Sequence, residues 1–122
     1  SNNLKLEYEK LNNFKYDLVI RIRYDLIFDN KISIEEVISN TINIYNRPSG
    51  NNSINDWFAI GTSEIMDKYC NIFNEYSNQE IENTIPEQLL YKQLKKYNIN
   101  YNFINDNPCA IVRNNNIKIY IK

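Results

Sequence analysis

Residues 16–28, Tyr-Asp-Leu-Val-Ile-Arg-Ile-Arg-Tyr-Asp-Leu-Ile-Phe, constrain this chain more than any other stretch. An extended chain sends alternate side chains to opposite faces. One face then holds Leu18, Ile20, Ile22, Tyr24, Leu26 and Phe28; the other holds Asp17, Val19, Arg21, Arg23, Asp25 and Ile27. A single strand buried on the first face would display two guanidinium groups and a carboxylate in a row on the second. Side chains at i and i+2 lie about 7 Å apart along a strand, so Arg23 and Asp25 can act on one ligand. The stretch predicts a site-bearing strand.

The chain has 122 residues, the size of one domain with a sizeable core. A net charge of −1 gives no broad attraction to nucleic acid or to anionic membranes. No apolar run approaches the roughly 20 residues that cross a bilayer, and no signal-peptide pattern opens the sequence. Cys70 and Cys109 lack metal-ligand spacing; they read as reduced thiols of a cytoplasmic protein, with a single disulfide as the other reading. Histidine is absent. That removes Ser-His-Asp and Cys-His catalysis and every imidazole ligand, so a metal here rests on oxygen donors and is a hard ion such as Mg²⁺ or Mn²⁺.

Around the organising stretch the elements alternate in type. Leu4, Tyr8 and Leu11 form the apolar stripe of a short helix that Asn12-Asn13 ends. Ser33 to Glu36 fits a capping box on a short helix, Ile42 and Ile44 mark a brief strand, and residues 47–53 are a loop. A strand over 55–61 closes on Gly61, which allows the turn into a helix capped by Thr62 or Ser63 and running to about Ser77. Thr84 to Glu87 is a second capping box, with Leu90, Leu94 and Tyr97 at helical spacing. Three alternating or apolar runs near 99–103, 109–112 and 117–121 follow, with Asn114-Asn115-Asn116 as a hairpin turn. The expected fold is one α/β domain over 1–122, a mixed sheet flanked by helices, with about three to four helices and five to six short strands.

Three segments in this order, 16–26, Asn-Asp-Trp-Phe-Ala-Ile-Gly-Thr-Ser-Glu-Ile-Met (55–66) and Pro-Glu-Gln-Leu-Leu (86–90), resemble the C-terminal half of a GT-A-type glycosyltransferase core. The likeness is to capsule- and lipopolysaccharide-type or viral sugar transferases that carry Arg-x-Arg-x-Asp-Leu after a strand, in place of the Asp-x-Asp motif. It covers roughly residues 4 to 113. It implies a partial GT-A-like core without the N-terminal nucleotide-binding half: either a fragment of a longer transferase, inactive as this portion alone, or a small relative that has lost or changed the activity. The first acid of the motif is replaced, since the sequence reads Arg23-Tyr24-Asp25.

The resemblance implies a nucleotide sugar as donor, a hexose-type sugar moved onto a glycan acceptor, and a divalent metal, Mn²⁺ or Mg²⁺, held by Asp25. Arg21 and Arg23 would bind the diphosphate, Asp56 or Glu87 would act as catalytic base, and Trp57 would stack on a sugar ring. The full-length protein would be cytoplasmic or peripheral at a membrane. The sheet edge left without its N-terminal half would be covered by that half or by a homodimer. The residues also fit other readings: a non-catalytic carbohydrate- or protein-binding module that keeps the scaffold, or an ordinary interaction domain whose Arg21, Arg23 and Asp25 are a solvated ion-pair row.

Overall fold

The computed structural model describes residues 2–28, 31–32, 34–45, 54–72 and 86–104, with the backbone of 109–112 and 118–120. The expected loop at 47–53, the far end of the helix running to Ser77, the capping residues Ser33 and Thr84 and the turn at 114–116 lie outside these residues. The described residues form a mixed α/β fold. Its elements are α1 (Asn2–Asn12), β1 (Val19–Ile22), β2 (Leu26–Phe28), a 3₁₀ turn (Ile34–Glu36), β3 (Ile42–Tyr45), β4 (Phe58–Gly61), α2 (Ser63–Ile72), α3 (Pro86–Lys96), β5 (Tyr101–Ile104), β6 (Cys109–Val112) and β7 (Lys118–Tyr120). A four-stranded mixed sheet runs β1-β4-β3-β5, antiparallel except for the parallel β3–β5 pair, and an antiparallel sheet runs β2-β6-β7.

The central strands β3 and β4 are buried on both faces. Ile42, Ile44 and Ala59 pack with Ile65, Met66 and Tyr69 of α2 and Leu90 and Leu94 of α3. On the opposite face Tyr45, Trp57, Phe58, Ile60 and Ile104 pack against Leu26 and Phe28 of the second sheet. Such strands read as continuous apolar runs rather than alternating ones. Asn43, fully buried between them, donates to the carbonyls of Ile38, Thr41 and Ile60 and accepts from the Ile38 N–H and Asn102 Nδ2. That leaves no polar atom of its amide unmatched.

Two helix ends follow from asparagine. Asn13 and Asn98 both adopt φ 53°, and the bonds Ile99 N–H to Leu94 C=O (2.9 Å) and Asn98 N–H to Lys95 C=O (3.2 Å) close α3 in a Schellman motif. Gly61 answers a packing demand rather than a backbone one. A Cβ there would sit 2.7 Å from Ile65 Cγ2 and 3.2 Å from the Thr41 carbonyl oxygen.

The structure corrects two expectations. The stretch 16–28 is two strands in two sheets, broken at Arg23–Asp25 by a turn in which Leu26 N–H reaches the Arg23 carbonyl (3.4 Å). Its supposed buried face is open in the middle, where Ile20 is 45% exposed, Ile22 50% and Tyr24 fully so, while Leu18, Leu26 and Phe28 pack against the core. The reason is position. β1 lies at the sheet edge, past the shelter of the second sheet, while Val19 and Arg21 turn toward α2. Likewise α1 docks by its polar side, and the stripe of Leu4, Tyr8 and Leu11 faces solvent. Asn2 and Lys5 bond Asp67 (3.1 and 2.9 Å), and the buried Glu9 takes Ser63 Oγ, the Tyr16 N–H and Lys5. No described helix is long and apolar enough to cross a membrane.

Candidate functional site

The candidate site lies where β1 turns the corner into β2 and meets the start of β4. Arg23 continues the β1–β4 ladder through its N–H to the Trp57 carbonyl (3.2 Å). Its guanidinium then clasps Asp25 bidentately, Nε to Oδ1 at 2.9 Å and Nη2 to Oδ2 at 2.7 Å. That fork-on-fork geometry is the strongest form of a carboxylate pair, and it holds Arg23 firmly protonated. Arg21, one ladder step back, lies over the Tyr69 ring (5.8 Å to its centroid) and donates from Nη1 to the Asp56 carbonyl (3.1 Å).

Asp56 precedes β4 in a turn that Asn55 sets, its Oδ1 accepting the Trp57 N–H at 2.8 Å. The fully buried Asn55 has Nδ2, and Asp56 has Oδ1, without a hydrogen-bond partner among the described residues. Burial pushes the Asp56 carboxyl above its ordinary value; the charge of Glu87 adds to this, and Arg23 and Arg21 offset only part. Glu87 arrives in the first turn of α3, whose backbone is tied to the same place by Ile54 N–H to the Glu87 carbonyl (3.0 Å).

Arg21, Arg23, Asp25, Asp56 and Glu87 thus come from three chain segments to one corner. Trp57 does not join them as an open platform. It is 4% exposed and packs in the core with Tyr45 and Phe58. Sequence reasoning missed Asn55, whose only signal was the Asn-Asp turn pair, and it took Tyr69 for core alone. Cys70 is a free thiol that burial raises above its ordinary value.

The divalent ion that the resemblance implies would rest on Asp25. Among the described residues no three carboxylate or thiol side chains gather as a cation cage. Mg²⁺ is ordinarily held by one or two carboxylates together with substrate phosphates. Asp25 fits that mode and not a protein-only cage. Compared with family models, with curated proteins and with solved structures, the chain matches none of them.

Proposed function

We propose that this chain carries the reaction-centre half of a nucleotide-sugar-dependent glycosyltransferase. One observation supports this most: two arginines and three carboxylates, from three chain segments, meet at one strand corner, with the Asp56 carboxyl raised above its ordinary value by burial. Arg21 and Arg23 would meet the charge that builds on the departing diphosphate. Asp56 would take the proton of the acceptor hydroxyl as that oxygen forms the new glycosidic bond, with Glu87 as the neighbour that keeps its basicity up. Asp25 would be the residue to hold a divalent ion, and the chemistry such an ion would supply when bound is neutralisation of leaving-group charge.

A second reading has its own support. Arg23 and Asp25 satisfy one another as a bidentate ion pair, as they would in a scaffold that binds glycans without turning them over. The two part on a thermal-shift measurement. The transferase reading expects a nucleoside diphosphate with Mn²⁺ to raise the melting temperature by about 3 °C at saturation. A shift with free oligosaccharides and none with the nucleotide leaves only the binding module.

Asp56→Asn sharpens the test. The fold favours protonated Asp56, so its contribution is full below the ordinary 3.8 and is lost as pH rises through the raised value. At neutral pH the substitution should therefore stabilise the chain, raising the melting temperature by about 3 °C, while lowering sugar transfer by the full-length protein roughly 100-fold. Undiminished transfer overturns the assignment of the base.

A further inference from the structure

The outer edge of β1 has no strand beside it among the described residues, and its pattern suits another β1. The bond from Arg23 N–H to the Trp57 carbonyl, with the β1–β4 register, makes Arg23/Trp57, Arg21/Ala59 and Val19/Gly61 the hydrogen-bonded pairs. The N–H and C=O groups of Leu18, Ile20 and Ile22 therefore point to the open side. A groove of about 450 Å³ opens beside that side, lined by residues 18–22 and Tyr16 and bounded by Asn2 and Lys5 of α1 and Cys70 of α2.

We infer that a second copy of this chain fills the groove, β1 against β1 in antiparallel register with Ile20 on the two-fold axis. In that register Ile20 exchanges both backbone bonds with its counterpart, and Leu18 does the same with Ile22 of the second copy. The outward groups of one edge meet the outward groups of the other in phase. On one face Leu18, Ile20 and Ile22 of both copies form a continuous aliphatic row, covering side chains now 45% and 50% exposed at Ile20 and Ile22. On the other face Val19 stands opposite Arg21, and Asp17 opposite Arg23, on each side of the axis. No like charges face each other. Moving the axis to Arg21 would set two guanidinium groups together, which disfavours it.

The pairing joins two four-stranded sheets into one of eight and removes two apolar edges that would otherwise template aggregation. It also brings Asp17 of the second copy to Arg23, so each candidate site borrows a carboxylate from its neighbour. The dimer stands or falls independently of sugar transfer.

Sedimentation of the full 122-residue chain tests it. The expected result is a reversible species of twice the chain mass. Ile20→Lys should raise its dissociation constant by roughly 100-fold and Asp17→Lys by roughly tenfold, since each places like charges opposite one another. Ile20→Cys gives a second readout. Hydrogen-bonded partners have Cα atoms about 5.5 Å apart, inside the range a disulfide spans, so mild oxidation should yield a covalent dimer. An Ile27→Cys control on β2 should not. A chain that stays monomeric up to about 200 µM, where micromolar association would show, overturns the proposal. So does a dimer that tolerates Ile20→Lys, or one that Ile20→Cys fails to link.

Discussion

At the scale of single residues, the two acids that matter most meet the same burial yet end up shifted in opposite directions. Burial pushes both upward. For Asp56 the neighbouring Glu87 adds to it, whereas for Glu9 the bonds from Ser63, the Tyr16 N–H and Lys5 outweigh it and bring the carboxyl from 4.5 to about 2. A depressed acid contributes stability that is present above its unfolded value and disappears as pH falls through its folded one. The α1 anchor should therefore weaken between about pH 4.5 and pH 2. Glu9→Gln should lower the melting temperature at pH 7 by roughly 5 °C and flatten its decline across that window. A thermal melt series in pH checks both. The chemical types at the site were legible in the sequence, since alternation puts Arg21 and Arg23 on one face, whereas Asp25 reaches Arg23 through a turn that alternation does not foresee. Trp57 was not legible, because a tryptophan beside an acid looks alike whether it faces a ligand or a core.

At the scale of elements, helical spacing located α2 and α3, and short apolar or alternating runs located strands β3 to β7. Periodicity misjudged which way α1 and β1 face. For α1 the apolar stripe of Leu4, Tyr8 and Leu11 was the stronger pattern, yet the fold spends the opposite side on a buried charge network that no hydrophobic count detects. For β1 the aliphatic side does face the sheet's covered surface, but the cover ends before the edge. The junction of β4 with α2 rests on Gly61. Gly61→Ala should cost about 1–3 kcal/mol in a denaturant titration, since the Ile65 side chain and the Thr41 carbonyl must both give way.

Across the whole molecule, burial is steepest at β3 and β4 and fades toward β1. Amide exchange should follow that gradient, slowest at Ile42–Tyr45 and Phe58–Gly61. Within β1 it should alternate. In dilute solution the Ile20 and Ile22 amides should exchange roughly 100-fold faster than that of Arg21, and the difference should shrink on concentrating the sample as edges pair. A layered α/β body was readable from the order of the periods, because each change from helical to strand spacing marks a change of layer. The existence of two sheets was not, since nothing local in residues 16–28 announces that the chain changes partners midway.

That change of partners gives the Arg23–Asp25 clasp a mechanical meaning. It is the staple between the last residues of one sheet and the first of the other. An anion that drew the guanidinium away would remove this clasp from the turn that also carries the Leu26 N–H to Arg23 carbonyl bond.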